Sequence, residues 1–294
     1  MLNYSFVIPH HNSPDLLTRC LSSIPQREDI EIIVADDNSD EDKKPQVKRP
    51  DVKIVYVDAA HTKGAGRARN YALREAKGRW IVFADCDDFF VSGFMDVLDK
   101  YKDKDLEVVY YDAKAANTHT LEPMSKLLQR HNEYFNGYDG SKETEDFIRY
   151  RIHSPWWKMV RRDFIEQNQI FFEEVPKGND IFFAYQVGFF AQKIAVEKQK
   201  LYIYTYNPHG ITNGKKNSDI SLHRLKNDLK SYEFYKFIGH PEWISNNGRL
   251  WIRILRHDGL KVFCQTLIDY WKNHTDIYSA RMDYVESIKA RIKR

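Results

Sequence analysis

Arg79-Trp80-Ile81-Val82-Phe83-Ala84-Asp85-Cys86-Asp87-Asp88 is an apolar run that breaks off into an acidic cluster. Its first six residues carry no polar alternation, so they read as a strand covered on both faces. Gly78 stands just before it and stops a helical stretch, 64–77, whose Ala65, Ala68, Ala72 and Ala76 fall on close-spaced faces. Helix then buried strand is half of a parallel βαβ unit, and the same rhythm extends outward. Tyr4 to Ile8 reads as a strand stopped by Pro9. Pro14 to Ile24 has helical spacing in Leu16, Leu17, Cys20, Leu21 and Ile24, with Pro14 suited to a first turn. Glu31–Ala35 and Lys53–Val57 read as strands, 94–101 as a helix and Glu107–Tyr111 as a fifth strand. The expected fold is α/β, a mostly parallel central sheet with helices on both faces, Rossmann-like, with a C-terminal helical extension.

Acidic and polar residues collect just after these strands. Ligands of open α/β sheets bind outside the carboxyl ends of the strands. The expected site is therefore the rim of Pro9-His10-His11-Asn12, Asp36-Asp37, Asp58 and Asp85-Cys86-Asp87-Asp88.

Composition sets outer bounds. The 294 residues are 42% hydrophobic and rich in aromatics, which fits a folded chain. No apolar stretch is long enough to span a membrane, and the N-terminus does not read as a signal peptide. Three scattered cysteines, Cys20, Cys86 and Cys264, fit a reducing compartment and offer no zinc spacing. The expectation is a cytoplasmic protein. Residues 216–294 hold 15 Lys or Arg against 9 Asp or Glu, so the last quarter is basic. That surface is either a solvated helical face or one that meets an anionic membrane at its inner face. No nucleic-acid motif or dense basic stripe is present.

Each candidate group has a plain structural alternative. Asp85 and Asp87, at a strand end, can share Mg²⁺ or Mn²⁺ with a diphosphate, or can cap a turn. Asp36-Asp37 can receive a base or ribose, or form an Asx turn. Gly64-Ala65-Gly66-Arg67-Ala68-Arg69-Asn70 opens a helix that can favour an anion. Within it, Arg69 either contacts the donor or ties the rim together. Asp180 can take a proton from an attacking hydroxyl, or merely cap a helix. His209 is a candidate third metal ligand, or a surface-loop residue. Trp156 and Trp157 can stack on sugars or pack in the core.

In order along the chain, these segments resemble the family 2 glycosyltransferases, which have the A-type glycosyltransferase fold. The resemblance rests on Ser5–Asn12, Glu31–Asp40, Gly64–Asn70, Ala76–Asp88, Trp157-Lys158 with Arg161–Phe164, and Gly178-Asn179-Asp180. It implies an inverting hexosyl- or N-acetylhexosaminyl-transferase that uses a nucleoside-diphosphate sugar, a UDP-sugar being expected, on a glycan or lipid-linked hydroxyl. It implies that Pro9 and His11 flank the base, that Asp37 binds it, that Asp87 with Asp85 meets Mg²⁺ or Mn²⁺ and the diphosphate, and that Asp180 is the catalytic base. Arg69 and Cys86 are further candidates for the donor, and His209 for the metal. Residues 1–115 would bind the donor, 116–215 the acceptor and the base, and 216–294 would form the basic extension.

Two departures matter. His11 replaces an aromatic residue in the donor loop, and Asn179 replaces the Glu of an acidic pair. The second motivates a rival, a catalytically inactive sugar-nucleotide-binding protein. A nucleotidyltransferase is disfavoured, because Pro9-His10-His11-Asn12 stands where a glycine-rich basic loop belongs.

Overall fold

The computed structural model describes residues 2–58, 64–175, 178–207, 227, 230–231, 234–243 and 248–272. The chain divides into two compact units, Met1–Asn213 and Gly214–Arg294.

The first unit is a mixed α/β layer around one eight-stranded sheet. Its strands are β1 (Tyr4–His10), β2 (Ile30–Asp36), β3 (Val52–Tyr56), β4 (Trp80–Phe83), β5 (Phe89–Phe90), β6 (Val108–Asn117), β7 (Lys158–Arg161) and β8 (Ile194–Tyr206). They lie in the order β3-β2-β1-β4-β7-β6-β8-β5. The pairs β3-β2, β2-β1, β1-β4 and β6-β8 are parallel, and the other three are antiparallel. Helix α1 (Pro14–Ser23) carries the chain from β1 to β2, and α2 (Ala65–Glu75) carries it from β3 to β4. These crossovers run in opposite directions across the sheet, so right-handed connection places the two helices on opposite faces. The strand order reverses between β1 and β4. That is the switch point at which such sheets open a ligand crevice.

Burial explains the strand pattern. Every residue of β1 and of β4 is buried, as the unbroken apolar runs require. Pro9 does not stop β1, contrary to the sequence reading. The Val7 carbonyl accepts from Ala84 on the β4 side, so Pro9, two residues on, faces that side too. Pairing with β4 ends at Val7, and Pro9 therefore removes no ladder donor.

The described residues of 116–215 are largely helical and stranded. They include α4 (Gln129–Gly137), α5 (Lys142–Arg151), α6 (Arg162–Gln167) and α7 (Asn179–Phe190), with α3 (Phe94–Leu98) earlier in the chain. The strand expected at Glu107–Tyr111 runs on to Asn117, and β8 is longer still, at 13 residues. Strands β6 and β8 pair with register shifts around Asp112. Trp156 and Trp157 are both buried. Trp156 stacks on Trp157, Tyr202 and Tyr204, with centroids 4.6, 4.9 and 5.7 Å apart, which favours packing over sugar contact.

Two contacts locate α7. Phe83 of β4 meets Phe172 and Phe183 edge-on at 5.4 and 5.3 Å, and those two rings stack at 4.0 Å. Gly66 lets α2 approach the same segment. A Cβ there would stand 2.2 Å from the Glu173 carbonyl oxygen and 2.7 Å from the Asn179 Cβ.

In the second unit the described residues include a helical segment, Gly248–Lys272, interrupted at Gly259, whose φ is 80°. Among the described residues, no helix is long and apolar enough to cross a membrane.

Candidate active site

The rim begins where β1 and β2 end side by side. Asp36 and His10 are both buried, and their side chains meet at 2.7 Å. Asp36 also accepts from the Ser39 hydroxyl at 2.5 Å and the Ser39 amide at 3.2 Å. The Ser13 amide donates to His10 Nε2 at 3.3 Å, so Nδ1 carries the proton that Asp36 receives. Asp36 is thus the residue that folds the turn. Asp37 is left to face α2, where its carboxylate accepts from the Gly64 amide at 2.6 Å. The anion at the N-terminus of α2 is therefore Asp37. His11 is exposed, and its Nδ1 lies 2.9 Å from the Asp37 carbonyl, the distance of a donated N–H. Asn12 adopts a left-handed φ of 54° and exchanges hydrogen bonds with Asp40.

The acidic cluster follows β4, and its carboxylates differ in role. Asp88 is buried. It accepts from Tyr202 Oη at 2.9 Å and from the Thr205 amide at 2.6 Å, which fastens the loop to β8. Burial, then Asp87 and Asp85, push its pKa well above the usual carboxylate range. Tyr202 Oη also accepts from the Asp85 amide at 2.9 Å. Asp87 is half-buried, and no side-chain donor among the described residues meets its carboxylate. Burial first and Asp85 second push its pKa up to about 6. The Cys86 thiol is pushed up by burial and the neighbouring acids, and it meets the backbone of His11. It is not poised as a nucleophile.

Arg69 joins this loop to α7. The buried guanidinium donates to Asp85 at 2.5 Å and to Asn179 Oδ1 at 3.0 Å, and lies over the Phe172 ring at 5.2 Å. Asn70 holds the same segment by exchanging two 2.9 Å bonds with the Phe172 backbone. Helix α7 starts after Gly178, which takes φ 72°, and no side chain caps it. Asp180 sits half-buried in its first turn, one residue beyond the Arg69 bond, and does not act as the N-cap. Beneath it in β7, Lys158 is wholly buried and donates to the carbonyls of Ile152 and Ser154 at 3.1 and 3.0 Å. Burial pulls its pKa down to about 7, with Asp180 opposing.

The structure thus connects His11, Cys86, Asp85, Arg69 and Asn179 around the switch point. A sequence model described as Glycosyl transferase family 2 matches residues 5–169, more than half of the chain. The chain belongs to glycosyl transferase family 2. Over 99 residues it is 37% identical to a poly(ribitol-phosphate) beta-glucosyltransferase of Bacillus spizizenii, covering 31% of this chain and 16% of that protein. Over 190 residues it is 26% identical to the GalNAc(5)-diNAcBac-PP-undecaprenol beta-1,3-glucosyltransferase of Campylobacter jejuni, covering 61% and 58%. The chain therefore spans less than two thirds of either relative's own length. S. aureus TarS 1–349, solved in complex with UDP-GlcNAc, shares the fold. The TM-score is 0.59 at 17% identity, over 86% of this chain and 76% of that one.

Family 2 enzymes imply a divalent metal. Among the described residues, no group of three or more His, Cys, Asp or Glu is set to hold one. His209 lies outside the described residues. The donor set still fits a hard cation in one respect. Asp87 is a half-buried carboxylate beside a second acid, without a side-chain donor among the described residues, and a cation would relieve both penalties. Asp85 is already engaged by Arg69, so of the two carboxylates Asp87 is the one left open to a cation. Sequence reading missed the ties made by Arg19, Tyr202 and Thr205. Their partners lie 68 to 118 positions away, and no local pattern marks them.

Proposed function

We propose that this family 2 chain transfers a sugar from a UDP-sugar to a hydroxyl of a glycan or lipid-linked acceptor, with inversion. One observation carries the reading. Arg69 binds Asp85 and Asn179 together, so the acidic loop and the residue before the candidate base share one mouth. The donor would lie across the rim of residues 1–115, with Pro9, His11 and Asp37 toward the base. The acceptor would lie on the side of residues 116–215. Asp180 would take the acceptor proton as its oxygen attacks the anomeric carbon. The bond to the diphosphate breaks on the opposite side, and the diphosphate leaves with the electron pair. Asp87, with Asp85, would hold Mg²⁺ or Mn²⁺, which supplies charge stabilisation to the departing diphosphate. Asn179 in place of Glu leaves Arg69 with one anionic partner, Asp85, so more of its positive field reaches the donor.

The relatives act on poly(ribitol-phosphate) or an undecaprenol-linked glycan, as their names state. A cell-envelope acceptor is proposed by extension, at the inner face of the membrane, with residues 216–294 as the basic contact. The test is a screen of UDP-sugars with Mg²⁺ or Mn²⁺, reading released UDP, repeated on Asp180→Asn. Turnover that needs metal and is lost in the variant is expected. UDP binding with no turnover for any donor would favour a sugar-nucleotide-binding protein instead.

A further inference from the structure

The Asp87 carboxylate has no side-chain donor among the described residues, so its direction must be fixed through its backbone. The Asp87 carbonyl accepts from two side chains, Arg19 Nη2 at 2.5 Å and Thr205 Oγ1 at 2.6 Å. The same guanidinium donates through Nη1 to the Thr118 carbonyl at 2.7 Å. Its Nη2 also lies 3.4 Å from each of the Thr118 and Thr205 hydroxyls, which are 3.1 Å from one another. Both threonines are buried, and the guanidinium lies over the Phe89 ring at 5.2 Å. Arg19 belongs to α1, Thr118 follows β6 and Thr205 lies in β8. One planar fork therefore pins the loop after β4 to three elements that are distant in sequence. Lysine cannot copy this, because its ammonium has no fork geometry.

We infer that Arg19 is a positioning residue that sets the Asp87 carboxylate toward the cation and diphosphate by holding the Asp87 carbonyl. This rests on the reading of Asp87 given above. Asp87 is itself on the rim, whereas Arg19 reaches it only from behind. The inference separates two parts of nucleotide binding. Base and ribose contacts at Asp37 and His11 do not depend on Arg19, and the metal-assisted diphosphate contact does.

The test measures UDP affinity calorimetrically with and without Mn²⁺, together with the unfolding midpoint, for Arg19→Met, Arg19→Lys, Thr205→Val and Asp87→Asn. Arg19→Met should weaken UDP binding in Mn²⁺ by about tenfold, as loss of a charged hydrogen bond implies, and leave metal-free binding within about twofold. Arg19→Lys should fall between it and wild type. Thr205→Val keeps its backbone bond to Asp88 and should lose about threefold in Mn²⁺ alone. It also decides the matter if Arg19→Met fails to fold. Equal weakening with and without Mn²⁺ would mean general loosening, and unchanged affinity in Mn²⁺ would mean no role; either overturns the inference. Asp87→Asn separates the two levels. If it weakens Mn²⁺-dependent binding and the Arg19 and Thr205 variants do not, only the positioning role fails. If it binds UDP and Mn²⁺ as wild type does, the reading of Asp87 fails and takes this inference with it.

Discussion

Strands β3, β2, β1 and β4 run parallel, and the candidate residues of β1, β2 and β4 lie at or just beyond the strand ends. Strands β7, β6, β8 and β5 mix directions, and Asn179 and Asp180 arrive not from a strand but from α7. Burial shifts ionisable groups in both halves. At the rim of the first, Asp87 is pushed up to about 6 and Asp88 is also raised. In the second, Lys158 is pulled down to about 7 and His153 to about 3. Desolvation drives all four shifts, each toward the neutral form. The first half is thus a set of independent strand ends. The second is a scaffold in which the position of Asp180, the proposed base, depends on how it locks onto the first.

Arg69 is the sharpest way to break that dependence. Arg69→Met should cut kcat by about a thousandfold, because the loop and α7 lose their shared partner and a small misplacement is costly. Steady-state UDP release checks this, and a loss confined to KM would argue that Arg69 serves donor affinity alone. Gly66→Ala attacks the same junction sterically. With the Glu173 carbonyl at 2.2 Å from the new Cβ, it should cost about 3 kcal/mol, measured by urea unfolding. Tyr202→Phe leaves Asp88 Oδ2 and the Asp85 amide without the hydroxyl they share, at a cost of about 2 kcal/mol. A neutral result would show that the two halves are held elsewhere.

The smallest effect at neutral pH is that of His153, whose Nε2 lies 2.9 Å from the Tyr150 carbonyl. Its folded pKa lies near 3, below the 6.5 of an ordinary imidazole. As pH falls, the unfolded chain takes up the proton first, so stability is full above pH 6.5 and is lost progressively toward pH 3. Wild type should therefore lose more stability than His153→Gln between pH 7 and pH 4.5. Parallel losses would mean that His153 is not the group responsible.

The parallel half was largely legible in the sequence. Unbroken apolar runs such as Trp80–Phe83 announce buried parallel strands, and turn residues bound them. The clustering of Asp36-Asp37 and Asp85–Asp88 after strands follows from the same pattern. Pro9 misled because a proline breaks a strand only where a partner needs its N–H. The second half was poorly legible for two reasons. Strand β5 is only two residues long, too short to show a period. The burial of Trp156 depends on Tyr202 and Tyr204, about 46 residues later, and nothing local distinguishes a core tryptophan from a sugar platform. Asp180 was identifiable as a carboxylate in a family motif. Its neighbour's bond to Arg69, 110 positions earlier, was not.

Asp88 carries one last consequence, for the order of events during synthesis. Its two partners, Tyr202 and Thr205, lie 114 and 117 residues further along the chain. A ribosome that has released residues 1–115 has delivered every strand of the parallel half, yet the acid at the base of its loop still lacks both partners. Loop closure over that span waits on β8, and contacts of such separation form late. The nascent chain therefore has its parallel strands well before the acidic loop that follows β4 is fastened.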